Sequence, residues 1–436
     1  MAVQKLLKGQ QINMFGINKG FLWIAGGQIF GLLNNFLLLK ILTVNLSMSA
    51  YGYYALWMSI MLFIRQIIYD PISIILAKES VEKKFPGMDK ACSFQIARHV
   101  TDRLLISLLL TGIFLIFVEI VFFKVISLGV YVLIGVIYLF SNGAQGIYLN
   151  ILNTQKKRKW AAAGIAVDSF VKLCLVPFVF FIFENSLIFA VQAVAISSLL
   201  TFIWVRGISK KFYSPLVMTA NDRLVATKQV MMLSLPLFAP TLLIALKGVG
   251  DKVFMASFIG VEELAAYNVL LQLGFIPMML IVGVIQTYVS PDIYKLASGE
   301  SGDQKETVLY INRIILKILI ISAAAIGASL LFSDILFKIL VGVEYFIYAK
   351  FLPYFLMAGA LAGMSGLLNV GVIGAFKPKI VGLLMFASVL AGLTILMISI
   401  VMYGFEGGVA GLVISNFVMV LIFGASILLI PFKRNE

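Results

Sequence analysis

The chain has 436 residues, of which 61% are hydrophobic and 12% charged, with 34 Lys and Arg against 20 Asp and Glu. Its mean hydropathy is +1.04. A soluble domain carries about 25% charged residues, so this composition excludes an ordinary soluble enzyme and places the chain in lipid.

A bilayer core has no water to satisfy backbone groups, so spans must be helices or closed barrels. The apolar runs here are about 20 residues or longer, not alternating ten-residue segments, and read as helices. Residues 1–19 are polar and basic (Lys5, Lys8, Lys19). The first apolar run exceeds a signal-peptide core and is taken as the first span. Twelve spans follow in order: 19–44, 50–77, 103–126, 129–152, 160–183, 186–206, 228–259, 263–290, 309–333, 347–375, 380–403 and 407–431. Their connections are short and leave no sizeable soluble domain. Cys92 and Cys174 lie far apart with no metal-ligand spacing, and the one histidine, His99, sits in a charged loop. These features argue against a metal site or a histidine-based triad.

Charge sets the orientation. With the N-terminus inside, the outer loops hold only Lys338 and Lys350, and six further cations lie within spans. All other Lys and Arg fall at the cytoplasmic side, in clusters such as Lys83–Lys84, Lys156–Lys159, Lys210–Lys211, Lys377 and Lys379, and Lys433–Arg434. This is the positive-inside asymmetry, and it places both termini in the cytoplasm. The net charge of +14 is a topology signal that suits anionic membrane lipids, and nucleic acid is not expected as a partner.

The chain also repeats itself. Gly143 and Gly146 precede Lys157 and Lys159 as Gly363 and Gly366 precede Lys377 and Lys379, at an offset of 220 residues. Tyr51 aligns with Tyr267 at 216, and Ser197 with Ser415 at 218. The reading is two pseudo-symmetric six-helix halves, residues 1–210 and 211–436, related by an axis along the membrane normal. Spans 1 and 7 are then expected to face each other across a central cavity.

Twelve spans in two halves, with a long seventh span carrying a mid-helix acid, resemble the MOP exporter superfamily, with a MATE-like fold. Within it the chain looks most like the Wzx-type O-antigen and polysaccharide flippases. The segment LSLPLFAPTLLIALKGVGDKVFMASFIGVEELAAYNVLLQL is similar to that family's span 7–8 pattern, with Asp251, Lys252, Gly260 and Tyr267 in sequence. ILVGVEYFIYAKFLPYFL resembles its lead-in to span 10, and the Gly-x-x-Gly then Lys-x-Lys pattern fits at both joins. The resemblance implies a bacterial inner-membrane flippase of undecaprenyl-pyrophosphate-linked oligosaccharide, with no cofactor, a monomeric state and polysaccharide polymerase machinery as a partner. Coupling to H⁺ or Na⁺ is a further implication.

A charge within a span costs roughly 2.5–3.5 kcal/mol at a helix centre, so each one is a functional candidate. The cations are Lys40, Arg65, Lys124, Lys172, Lys247 and Lys252, and the acids Asp70, Glu119, Asp168 and Asp251. Asp168–Lys172 and Lys247–Asp251 are i,i+4 pairs, serving either as ion pairs that ease insertion or as working groups. Lys252 points about 100° away from Asp251 and is expected to face a cavity. Arg65 is too deep to snorkel easily, and its fork suits a pyrophosphate. Lys40, near the outer end of span 1, either snorkels or joins the lane. Glu119 and Lys124 read as interfacial. Gln28, Asn34 and Asn35 supply neutral polar groups, either to substrate or as helix–helix glue. The substrate-binding candidates are therefore Arg65, Lys252, Lys247, Lys172, Lys40, Asn34, Asn35 and Gln28, and the ion-coupling candidates Asp168 and Asp251.

A MATE-type multidrug antiporter is the competing expectation. Its cavity should be acidic and aromatic, whereas this chain is net cationic within the membrane. A membrane-embedded glycosyl transferase or polymerase fits poorly, because the outer loops are too short for catalytic acids.

Overall fold

The computed structural model describes residues 19–82, 92–118, 126–212, 219–298, 304–376 and 378–429. All regular structure among them is helical. Glu119, Lys124, the terminal Lys5, Lys8, Lys433 and Arg434, and the loop lysines Lys83, Lys84 and Lys377 lie outside the described residues.

In chain order the helices are α1 (Lys19–Asn45), α2 (Met48–Glu82), α3 (Cys92–Val118), α4 (Ile126–Thr154), α5 (Arg158–Ile182), α6 (Leu187–Ser209) and α7 (Ala220–Phe258). α8 begins as Val261–Leu270, passes through a π-helical turn at Leu271–Phe275 and continues as Ile276–Ser298. α9 (Gln304–Leu340) leads by a 3₁₀ segment (Val343–Phe351) into α10 (Leu352–Ala375), and α11 is Pro378–Leu429. Ten helices among the described residues are long and apolar enough to cross a membrane. The chain is a multi-pass membrane protein.

The sequence reading put separate spans at 380–403 and 407–431. Here one 52-residue element covers both, broken at Gly404 (φ 61°, ψ −137°). A left-handed φ suits a residue without a Cβ, and the two arms fold back on each other: Gly407 and Gly411 lie against Ser399 and Leu396. α3 is not among the ten. Its first turns carry Arg98, His99, Asp102 and Arg103, and the expected span 103–126 runs on into undescribed residues.

Hydroxyls buried in these apolar helices bond back to their own backbone, as apolar surroundings require. Ser59 donates to the Ala55 carbonyl at 2.6 Å and Ser322 to that of Ile318 at 2.7 Å. α7 is started by a capping box, with the Asp222 amide donating to Thr219 Oγ1 at 3.1 Å and the Thr219 amide to the Asp222 carboxylate at 3.2 Å.

α1 packs on α5, α2 on α4 and α4 on α6; the pairing recurs as α7 on α11, α8 on α10 and α10 on α11. The seam between the two sets is α2 against α7 and α8. Gly27 and Gly31 let α1 approach Ala162 and Ile165 of α5 closely.

The apolar cores explain the shape. The end of the bundle bearing Lys156–Lys159, Lys210 and Lys211 is called here the basic end. At the opposite, far end, one core unites Leu39, Tyr51 and Tyr54 with Tyr267, Phe337, Tyr345, Phe355 and Ile400. Towards the basic end this splits in two. One core holds Tyr69, Leu76, Phe94, Tyr148 and Phe202, joined by Ala226 and Val230 of α7. The other holds Met278, Val282, Ile311, Leu367 and Phe423. The bundle is therefore sealed at the far end and divided at the basic end.

Candidate functional site

Seven of the ten candidate residues, all but the Lys247–Asp251–Lys252 group, come from α1, α2 and α5. Arg65 projects from the middle of α2 and its side chain is 24% exposed. One guanidinium nitrogen lies 3.9 Å from Asp70 Oδ1, and its buried Nε has no partner. Gly146 of α4 leaves room beside it. On α5, Lys172 Nζ donates to Asp168 Oδ2 at 2.5 Å, and both side chains are largely buried. Asp168 Oδ1 has no partner. Tyr138 of α4 lies within the electrostatic reach of Arg65, Asp168 and Lys172 and packs on Trp57 with ring centroids 5.5 Å apart. These side chains from α2, α4 and α5 form one polar cluster inside the first six helices.

About 100° round α5 from Asp168, Ser169 accepts from Asn34 Nδ2 at 3.1 Å, so Asn34 ties α1 to α5. Asn35 is exposed and Gln28 half-buried with an unpartnered Oε1; seven residues apart, they share a face of α1 turned away from the Asn34 contact. Lys40 stands elsewhere. Its ammonium donates to the Val341 carbonyl and, at 3.3 Å, to that of Lys338. It thus binds the last carbonyls of α9, where a cation complements the helix dipole.

The expected Lys247–Asp251 ion pair does not form. Lys247 turns instead to Asn416 Oδ1 at 2.9 Å and Met419 Sδ at 2.6 Å on α11. Asp251, 7% exposed, accepts from the Lys252 amide at 2.8 Å and the Tyr267 hydroxyl at 3.2 Å. Tertiary partners on α8 and α11 win over helical spacing. Lys252 Nζ reaches the Gly248 carbonyl at 3.5 Å.

Sequence reasoning missed the far-end polar lock. Tyr51 of α2, fully buried, accepts from Asn268 Nδ2 at 2.9 Å and Gln272 Nε2 at 3.1 Å on α8. Tyr345 meets its ring edge-on at 6.2 Å. Gln272 lies in the π-helical turn, a feature common at functional sites. The signal available was the alignment of Tyr51 with Tyr267, which placed both near the starts of α2 and α8 without revealing what they touch.

A family model described as "Polysaccharide biosynthesis protein" matches residues 17–297. The chain belongs to that family. Its fold is that of the MOP superfamily. Over 95% of this chain and 88% of the other, it superposes on the lipid II flippase MurJ in an inward closed conformation, with a TM-score of 0.70 at 15% identity. An inward-facing multidrug resistance MATE transporter of the MOP superfamily gives 0.64 at 12% identity, covering 94% of this chain and 98% of that one. A MOP superfamily transporter from Pyrococcus furiosus, described as having a binding pocket of reversed polarity, gives 0.56 at 15% identity over 94% of each chain. Comparison with curated protein sequences returned no match.

Proposed function

We propose that the protein is a flippase that moves an undecaprenyl-pyrophosphate-linked oligosaccharide from the cytoplasmic to the periplasmic leaflet of a bacterial inner membrane by alternating access. The basic end is cytoplasmic in this reading, and the far-end seal closes the periplasmic side. The supporting observation is Arg65: a largely buried guanidinium midway along α2, in the polar cluster of the first six helices, with a donor to spare among the described residues. A diphosphate cannot enter hydrocarbon unpaired, and a planar fork of donors is suited to its oxygens. Lys172 adds positive potential, and Gln28 and Asn35 offer neutral contacts on α1. Lys252 completes the cationic set from α7.

A coupling ion, H⁺ or Na⁺, belongs at Asp251 in this reading and not at Asp168. Asp168 already holds Lys172, whereas Asp251 has no cation within ion-pair distance among the described residues. The protein acts as a monomer alongside polysaccharide polymerase machinery. The test uses proteoliposomes carrying a fluorescent undecaprenyl-pyrophosphate oligosaccharide, with leaflet position read by a membrane-impermeant quencher. Protein-dependent movement is expected, lowered in Arg65→Ala. Export of cationic dyes with no movement of the lipid would establish a MATE-type antiporter instead.

A further inference from the structure

A cavity of about 600 Å³ lies outside the polar cluster, between the first turns of α1 and α5 near the basic end. Its walls are apolar: Leu22, Trp23, Gly26 and Phe30 from α1, Ala163 and Ala166 from α5. Lys159 is the one charged residue on its lining. The groove exists because side chains are missing from its floor. A Cβ on Gly26 would meet nothing within 4 Å, while Gly27 closes the back by packing on Ala162. From Trp23 to Phe30 the wall is about 10 Å long. A methylene group and a water are of similar size, about 30 Å³, so the cavity holds about twenty carbons.

The mouth is built for an anion. Lys159 Nζ stands 5.6 Å from the Trp23 ring centroid and 5.9 Å from that of Trp160, and Lys211 Nζ lies 5.8 Å from Trp160. Trp and Lys side by side mark the headgroup level of a membrane. Lys159 on the lining, with Lys211 near the same Trp160 ring, supplies positive charge for an anionic headgroup. Leu22, Trp23 and Phe30 are about half exposed, so a chain enters sideways from lipid.

We propose that this groove holds the single polyprenyl chain of the lipid-linked substrate, with its diphosphate against Lys159 and Lys211. The assignment rests on the flippase reading above and adds the place where the tail is held. The notch at Gly26 and the alanine floor accommodate methyl branches that a straight acyl chain lacks.

The test uses the full-length protein in phosphatidylcholine nanodiscs and a photoreactive C55 polyprenyl diphosphate without sugar, with crosslinks mapped by mass spectrometry. Crosslinks are expected within residues 22–30 and 159–166. Gly26→Leu, which fills open space, and Ala163→Leu should each cut their yield about tenfold while the thermal transition is retained. Lys159→Ala together with Lys211→Ala should weaken capture of the diphosphate but not of the uncharged polyprenol. Phosphatidylglycerol competing as well as unlabelled polyprenyl diphosphate would make the groove an ordinary phospholipid site and overturn the proposal. Crosslinks confined to other helices and unchanged in both leucine variants would overturn it while leaving the flippase reading standing. No crosslink anywhere would remove both.

Discussion

Tyr51 and Asn268 are 217 residues apart and share a 2.9 Å hydrogen bond in which the Tyr51 oxygen also accepts from Gln272. The bond joins α2 to α8 across the seam between the two sets of helices, inside the core that seals the far end. With the Lys40 contacts to the last carbonyls of α9, it is a polar component of a largely apolar closure. A protein that alternates access must break it once per cycle, at a site where water then replaces the lost partners.

Tyr51→Phe removes the acceptor and leaves two buried amide donors unpaired. Each costs about 1–3 kcal/mol in an environment without water. The far-end-open state, where water satisfies those amides, should gain population. Spin labels or cysteine probes near Glu184 and Glu262 should report a larger far-end separation or faster labelling than in the parent. An unchanged distance distribution would show that the aromatic packing alone holds the seal.

Arg65 is the residue whose replacement best separates transport from folding. It is partly exposed and its one ion pair is long, so Arg65→Ala should leave expression and thermal stability near normal. Charge-assisted hydrogen bonds contribute about 1.5–3 kcal/mol, so the flipping rate should fall about 10- to 100-fold. Arg65→Lys should recover part of that loss, because a point charge replaces a bidentate fork. Parent-like transport in both variants would place the phosphate path elsewhere.

The Asp168–Lys172 pair predicts a different pattern. Removing one partner leaves a buried charge uncompensated, at a cost of about 3–5 kcal/mol. Asp168→Ala should therefore lower the melting temperature in detergent sharply. The double replacement Asp168→Leu with Lys172→Met should recover most of the loss. If the single variant melts like the parent, the pair is not structural and Asp168 is free to exchange protons.

Much of this fold was legible as apolar runs, because bilayer thickness fixes helix length. The break at Gly404 was foreshadowed by the glycine-rich YGFEGG between two runs. Partners were less legible than elements. Helical spacing correctly paired Asp168 with Lys172, yet the same spacing offered Lys247 to Asp251, and Asn416, 169 residues away, took the lysine instead. Lys40 was visible as a charge, but its use on the carbonyls of α9 was not, since a helix end 301 residues on leaves no mark in local sequence. The Tyr51 lock was hidden for the same reason.

His99 gives a pH test outside the spans. Arg103 Nε donates to His99 Nε2 at 3.2 Å, which requires a neutral imidazole. Partial burial, with Arg103 and Arg223 nearby, holds its pKa below the ordinary value, against the opposing pull of Asp102. A depressed histidine stabilises the fold fully above its unfolded pKa of about 6.5, and that contribution is lost as pH falls below it. Thermal stability should decline modestly on acidification below that point, and His99→Gln should flatten that part of the profile. An identical slope in the variant would assign the acid sensitivity to other groups.

α7 is the element that changes partners along its length. Ala226 and Val230 belong to the basic-end core with Ile72, Leu76 and Phe94. Beyond the middle, Lys247 bonds to Asn416, Gly250 lies against Leu393 and Met255 against Gly408. Between these two attachments Met232, Leu233 and Leu235 are exposed, and Pro236 and Pro240 stand inside the helix. A proline removes a ladder hydrogen bond and makes bending easier. One end of α7 is thus fixed to the first set of helices and the other to the second, with a weakened segment where they meet. If the two sets rock, that segment must absorb the change. Replacing Pro236 and Pro240 together with Ala restores both donors and stiffens α7. Stability should hold or rise, since about 3 kcal/mol per proline is the cost of proline in a helix interior. Flipping in proteoliposomes should slow several-fold at unchanged substrate capture, because binding does not need the bend and the cycle does. Lost capture with an unchanged rate would instead show that the kink shapes the binding site and that the rocking hinge lies elsewhere.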